Sequence, residues 1–143
     1  MVCTFFGHRQ VPEQIEESLR KVLVALIEQE HIYKFYVGNQ GGFDRTVLYV
    51  LRLLKKQYPQ IEFSVVLAYM PDKNSINRLE DFSETIFPEG QELTPLKFAI
   101  SKRNIWLIEH SDVVITYVKH TWGGAAKFKA LSEKRGKRVI NLD

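Results

Sequence analysis

Short apolar runs and amphipathic stretches follow one another in turn along this chain. Five apolar runs predict strands, at residues 2–6, 34–38, 62–69, 113–118 and 138–142. Between them, apolar residues recur at helical spacing and predict four helices, at residues 12–30, 47–58, 95–110 and 124–135. Residues 70–92 are polar and irregular, apart from a short extended piece at 84–87.

Strands that alternate with helices at this spacing predict an α/β fold with a parallel, doubly wound sheet and right-handed crossovers. The expected arrangement has three layers, with helices on both faces of a sheet in the order 3-2-1-4-5. Ligands of such folds bind beyond the carboxyl ends of the strands, where the strand order reverses. We therefore expect the ligand site beside the first and fourth predicted strands.

Three of the predicted strands end in glycine-containing turns that lead into helices. These turns are Gly7-His8-Arg9, residues 38–42 and residues 119–124. Glycine permits positive φ and close approach of a ligand to the backbone, and a helix that follows directs its unpaired N–H groups toward that ligand. The three turns together predict one anionic ligand held at one edge of the sheet.

Composition restricts the class of protein. The 143 residues, 45% hydrophobic and 26% charged, suit a single domain over residues 1–143. The net charge of +3 indicates only mild attraction for polyanions. Cys3, the one cysteine, lies in the first apolar run, which favours a buried, inert thiol in a reducing compartment.

Targeting and metal signals are missing from the sequence. It has no basic leader and no run near the roughly 18 apolar residues that span a bilayer. None of the four histidines has a partner at metal-ligand spacing. We therefore expect a cytoplasmic protein with no membrane contact and no metal.

The first two turns supply most of the candidate ligand-binding residues. A guanidinium such as that of Arg9 can grip two phosphate or carboxylate oxygens at once. The second turn permits a nest of amides, and its Asp44 either caps the next helix or accepts ribose hydroxyls. Phe43 fits base stacking or core packing. The candidates here are Gly7, Arg9, Gly38, Gln40, Gly41, Gly42 and Asp44.

Two further segments complete the candidate site. Arg103 and Asn104 lie near the apolar stripe of their helix, so they either reach a ligand or tie the helix to a loop. The amides that follow Gly123 and Gly124 would face an anion at a helix N-terminus. Lys127, one turn into that helix, either adds positive charge or is a solvated surface residue.

Taken together, the motifs resemble the SLOG superfamily. The resemblance rests on Phe6-Gly7-His8-Arg9, residues 38–44, Arg103-Asn104, Ser111-Asp112 and Trp122-Gly123-Gly124-Ala125, and covers nearly the whole chain. This Rossmann-like group includes the SMF/DprA and LOG proteins, and the YspA/YpsA-like families are the most similar. The resemblance implies a 3-2-1-4-5 sheet and a pocket for a nucleotide or nucleotide-derived ligand.

The last turn departs from the pattern of the LOG hydrolases. Those proteins carry P-G-G-x-G-T-x-x-E there, whereas this chain has alanine for the threonine and no carboxylate after it. Glycosidic cleavage needs a carboxylate at the reacting centre. The sequence therefore favours a non-catalytic sensing module for a nucleotide or ADP-ribose-type ligand.

Two alternatives stay open. One is a LOG-like nucleoside monophosphate N-glycosidase that takes its acid from Asp44, Glu89 or Glu92. The other is a DprA-like module that interacts with single-stranded DNA or protein. The oligomeric state is left open.

Overall fold

The chain folds into a parallel sheet with helices on both faces. The computed structural model describes residues 1–69 and 84–143. Its strands are β1 (Val2–Gly7), β2 (Lys34–Val37), β3 (Glu62–Val66), β4 (Glu84–Ile86), β5 (Val113–Tyr117) and β6 (Arg138–Asn141). Its helices are α1 (Ile15–Glu30), α2 (Gly41–Gln57), α3 (Leu96–Glu109) and α4 (Gly124–Lys134), and a 3₁₀ turn spans Gln91–Leu93.

The order of the strands is β4-β3-β2-β1-β5-β6, and every neighbouring pair is parallel. The predicted fold class is confirmed. The predicted order 3-2-1-4-5 corresponds to β3-β2-β1-β5-β6. The observed sheet differs from it by a sixth strand, β4, which lies beside β3 at the edge. The short extended piece predicted at residues 84–87 is this strand, although the sequence did not indicate that it joins the sheet. The order reverses between β1 and β5.

Each face of the sheet has its own apolar core. Phe5, Leu23 and Leu51 belong to the core under α1 and α2. Phe6 and Phe128 belong to the core on the other face, and their ring centroids lie 5.6 Å apart. Because successive strand residues point to opposite faces, the adjacent Phe5 and Phe6 each anchor one layer.

Several helix boundaries differ from the prediction. The first helix begins at Ile15 and not at residue 12. A tighter turn precedes it, in which the Ile15 N–H donates to the Pro12 carbonyl three residues earlier. The second begins at Gly41, before its periodic residues. The third begins at Leu96 with Pro95 at the N-cap, and the Thr94 hydroxyl donates to the Gly90 carbonyl at 3.4 Å instead of capping the helix.

Cys3 is fully buried, as its place in the first apolar run predicts. Burial raises the pKa of its thiol above the ordinary value, so the neutral form persists. In the part of the chain that the structure describes, no helix combines the length and apolar character needed to cross a membrane.

Candidate functional site

A cavity of about 260 Å³ lies at the carboxyl ends of β1 and β2, beside the reversal of the strand order. Four segments form its walls: the end of β1, the β2–α2 turn, the middle of α3 and the first turn of α4. Its lining comprises Phe5, Phe6, Gly7, Arg9, Gly38, Gln40, Asp44, Ile100, Ser101, Arg103, Asn104, Leu107, Gly124, Ala125 and Phe128. Segments far apart in sequence therefore meet at one concave surface.

Most of the candidate ligand-binding residues line this cavity. They are Gly7, Arg9, Gly38, Gln40, Asp44, Arg103, Asn104 and Gly124. Gly41, Gly42, Gly123 and Lys127 are not among its lining residues. Ser101 also lines the cavity, and the sequence analysis did not identify it. It lies three positions before Asn104 on the same helix, and this spacing could have indicated that the two residues share a face.

Arg103 is the largest of the fully buried side chains in the described part of the chain. Its Nη1 donates to the Val66 carbonyl at 2.8 Å, and its Nε donates to the Asn104 Oδ1 at 2.8 Å. Burial lowers the pKa of this guanidinium, while the negative charge of Asp44 acts to raise it. Arg103 therefore ties α3 to the end of β3 and also brings a buried cation to the cavity wall.

Asp44 is the acidic partner of this cation at the cavity. Its Oδ2 accepts the backbone N–H of Gln40 at 2.8 Å, so the carboxylate caps the turn that opens α2. Burial raises the pKa of Asp44 to about 6, although the Gln40 hydrogen bond and the charge of Arg103 act in the opposite direction. A carboxyl group that titrates near neutral pH thus lines the cavity.

The raised pKa of Asp44 predicts a pH dependence of stability. Since the pKa rises from 3.8 to about 6 on folding, the folded state holds more protons between these values, and stability falls as pH rises through that window. A shift of this size corresponds to about 3 kcal/mol. Asp44→Asn keeps the acceptor and removes the ionisation, so its stability relative to the natural chain should rise by about 2.4 kcal/mol from pH 4 to pH 7, the rest of the effect lying below pH 4. Urea unfolding at each pH measures it, and a constant difference would contradict the prediction.

Gly38 separates the two charged groups. A Cβ on Gly38 would lie 2.9 Å from Asp44 Oδ2 and 3.2 Å from Arg103 Nη1. These distances are too short for a methyl group beside two desolvated polar atoms. Glycine at this position is what lets a carboxylate and a guanidinium both approach the end of β2.

The glycines of the second turn pack against the β1–α1 loop. The Gly42 N–H donates to the Arg9 carbonyl at 2.7 Å, and the Phe43 N–H donates to the His8 carbonyl at 3.3 Å. Gly41, with φ of +84°, lies against the Arg9 side chain. The Gly42 amide, which the sequence assigns to a ligand-binding nest, thus already has the Arg9 carbonyl as its acceptor.

Phe43 is a core residue. It is 1% exposed and stacks on Tyr117 with ring centroids 6.4 Å apart. A Cβ on Gly7 would lie 2.3 Å from the Phe43 Cγ, so Gly7 gives this ring its space. Of the two roles considered for Phe43, the structure selects core packing.

The N-terminus of α4 is the open end of the site. Gly123 stands at the N-cap with φ of +95° and provides no side-chain cap. A Cβ on Gly124 would meet nothing within 4 Å. Because the first N–H groups of a helix have no partner within it, this turn presents amide donors to the cavity. Lys127 is exposed, and its ammonium lies 5.5 Å from the Phe128 ring.

The other acids proposed from the sequence lie elsewhere. Glu89 and Glu92 are exposed and are not among the lining residues of the cavity. Asp44 is thus the acidic residue among the side chains that line it. Over residues 1–69 and 84–143, no three His, Cys, Asp or Glu side chains are grouped so as to hold a metal ion.

The fold is similar to that of a known crystal structure, DNA processing protein A (DprA) from Streptococcus pneumoniae. The TM-score is 0.70 at 17% sequence identity, over 97% of this chain and 49% of that protein's chain. This chain therefore spans about half the length of that protein, and the similarity concerns the fold. No protein-family model and no curated protein sequence matches the chain.

Proposed function

We propose that this chain is a SLOG-type module that binds a nucleotide or an ADP-ribose-type derivative by its phosphate and does not cleave it. The observation that supports this most directly is that Arg9, Arg103 and the uncapped first turn of α4 line one cavity. Guanidinium groups and free helix N-terminal amides are the donors that proteins use for phosphate. We also propose that, within the SLOG superfamily, this chain is most similar to the YspA/YpsA-like families.

The size of the cavity limits how much of a ligand it encloses. At about 260 Å³ it falls just below the roughly 300 to 1,000 Å³ typical of pockets that bury a drug-sized ligand. Phosphate and ribose would occupy the polar part between Arg103 and α4. The base would then lie at the rim.

Thermal unfolding in the presence of candidate ligands tests the proposal. The panel comprises nucleoside mono-, di- and triphosphates, cyclic dinucleotides and ADP-ribose. A ligand at 100 times its Kd should stabilise the folded state by about 2.7 kcal/mol, which raises the Tm by several degrees. No shift with any of them at millimolar concentration would contradict it.

Asp44 supports a second candidate function, the hydrolysis of an N-glycosidic bond. Its carboxyl group lines the cavity, and its pKa of about 6 suits proton transfer near neutral pH. Base release from nucleoside monophosphates should then be detectable by chromatography and absent in Asp44→Asn. Release that survives this substitution would exclude Asp44 as the catalytic group.

The similarity to DNA processing protein A makes single-stranded DNA the third candidate ligand. The net charge of +3 supports it weakly, because strand binding relies on an electropositive groove. A fluorescent oligothymidylate, titrated with protein at low and high salt, tests it. Salt-sensitive binding would favour this function, and no binding at low salt would exclude it.

A further inference from the structure

A carboxylate lies in the same cavity that the proposed function assigns to an anion. Asp44 lines this cavity together with Arg9 and Arg103, and it is only 8% exposed. Its Oδ2 accepts the Gln40 N–H at 2.8 Å, which fixes the carboxyl group at the cavity wall. An ionised carboxylate in this position repels an incoming phosphate group.

The geometry at Gly38 shows how close this carboxylate is to the cation. A Cβ on Gly38 would lie 2.9 Å from Asp44 Oδ2 and 3.2 Å from Arg103 Nη1, so these two atoms are at most about 6 Å apart. A round cavity of about 260 Å³ is itself only about 8 Å across. An anion that binds Arg103 in this space therefore lies within about 8 Å of the Asp44 carboxylate.

Two negative charges at this separation repel each other strongly in a partly dry site. For unit charges about 6 to 8 Å apart and an effective dielectric constant of about 20, the repulsion corresponds to a loss of affinity of about 30- to 100-fold. Protonation of Asp44 removes this penalty. It also turns the carboxyl group into a hydrogen-bond donor for an anion oxygen.

We propose that Asp44 couples anion binding in the cavity to the uptake of one proton. The anion enters, a proton from the solvent converts the Asp44 carboxylate into the neutral acid, and both leave together. This rests on the proposed phosphate site and adds its regulation by pH. A ligand that favours the protonated form of a group binds more tightly where that form prevails. The affinity for the anion therefore falls as the pH rises through the titration range of Asp44.

The surroundings of Asp44 prepare it for this step. Burial raises the pKa of its carboxyl group to about 6, although the Gln40 hydrogen bond and the charge of Arg103 act in the opposite direction. An anion on Arg103 offsets that positive charge and adds a negative one, so it raises the pKa further. Near neutral pH, Asp44 is thus mostly ionised without the anion and mostly protonated with it.

The other charged and titratable groups around the cavity were compared with Asp44. The guanidinium groups of Arg9 and Arg103 line the cavity and keep their charge. Lys127 and Tyr69 are not among the lining residues. Burial and the neighbouring histidine 120 lower the pKa of His8, which stands beside Arg9 in the chain. His8 is therefore the titratable group that a control has to remove.

Calorimetric titration of the full chain with sulfate at pH 5, 6, 7 and 8 tests the coupling. Sulfate is the probe because its charge is constant over this range, whereas a phosphate monoester itself titrates near pH 6. The affinity should fall about tenfold from pH 5 to pH 7. Titrations in two buffers of different ionisation enthalpy should show uptake of most of one proton per sulfate at pH 7. Equal affinities at pH 5 and pH 7, without proton uptake, would overturn the proposal.

Two variants assign the proton to its residue. Asp44→Asn keeps an acceptor for the Gln40 N–H but does not titrate, so its affinity for sulfate should be the same at pH 5 and pH 7. His8→Gln is the matched control, because glutamine can still accept the Lys119 N–H, as the His8 Nε2 does at 2.9 Å. This control should keep the tenfold pH dependence. Dependence that persists in Asp44→Asn and disappears in His8→Gln would show that Asp44 is not the group.

Ribose 5-phosphate separates this proposal from the one on which it rests. If the natural chain binds neither sulfate nor ribose 5-phosphate between pH 5 and pH 8, the phosphate site is wrong, and the coupling fails with it. If sulfate binds equally well at every pH, the phosphate site stands and the coupling is wrong. If only ribose 5-phosphate binds, proton uptake at pH 8 should occur in the natural chain and not in Asp44→Asn, and equal uptake in both would overturn the coupling.

Discussion

Replacing Gly42 with alanine should destabilise the fold by about 2 to 3 kcal/mol, because the new methyl group meets backbone that cannot move aside. A Cβ there would lie 2.3 Å from the Arg9 carbonyl oxygen. The same oxygen accepts the Gly42 N–H at 2.7 Å, so relief of the clash also stretches this hydrogen bond. The substitution separates α2 from the β1–α1 loop and thereby disturbs two walls of the cavity.

Gly124→Ala is the matched control, since it makes the same change in the first turn of another helix. A Cβ at Gly124 meets nothing within 4 Å, and alanine is the better helix former by roughly 0.5 to 1 kcal/mol. We therefore expect it to be neutral or slightly stabilising. Urea unfolding followed by circular dichroism compares the two variants, and equal losses would contradict the packing described here.

Arg103→Met has the second large expected effect, a loss of about 3 kcal/mol at pH 7.5. Methionine fills much of the space but cannot donate to the Val66 carbonyl or to Asn104 Oδ1. It also leaves the ionised Asp44 without its nearby cation in a buried position. At pH 5 the carboxyl is mostly protonated, so the loss should be smaller there.

A double-mutant cycle isolates the charge contribution. Combining Arg103→Met with Asp44→Asn should give a clear coupling energy at pH 7.5 and almost none at pH 5, because the pKa of Asp44 is about 6. Urea unfolding of the four proteins at both pH values measures it. A coupling energy that does not change with pH would show that Arg103 acts only through its hydrogen bonds.

Much of the fold could be predicted because β1, β2, β3 and β5 are nearly continuous apolar runs between clear helical stripes. Parallel strands covered on both faces leave this signal in the sequence. The extended piece at residues 84–87 was predicted, but not its place in the sheet as β4, since its three residues depend on pairing with β3 and carry no apolar run. Thr94 before Pro95 predicts an N-cap followed by proline at the first helical position, but the threonine hydroxyl donates to the Gly90 carbonyl instead.

The candidate site was predictable where topology decides and not where tertiary contacts decide. Arg9 and Asp44 reach one cavity because the carboxyl ends of parallel strands share an edge, and Arg103 reaches it from the middle of α3. The sequence predicts a ligand nest at Gly41 and Gly42, but no local pattern could show that the Arg9 carbonyl would accept the Gly42 amide. The turn before α4 differs from this one, because a Cβ on Gly123 or Gly124 would meet no atom within 4 Å.

The N-terminus of α4 is therefore the part of the site where a side chain can be added without a steric clash. An acidic side chain at the first position of a helix is compatible with folding and interacts favourably with the helix dipole. At Gly124 it has free space, yet it would place a negative charge where the phosphate is proposed to bind. Gly124→Asp thus blocks the anion site without disturbing the core.

Calorimetric titration of the natural chain, Gly124→Asn and Gly124→Asp with adenosine 5′-monophosphate is the most direct test of the phosphate site. Asparagine has nearly the size of aspartate but no charge, so the Asn variant should bind within a few-fold of the natural chain. The Asp variant should lose at least about tenfold in affinity while its free energy of unfolding is unchanged or higher. Equal affinity of the Asn and Asp variants would contradict a phosphate at this helix terminus.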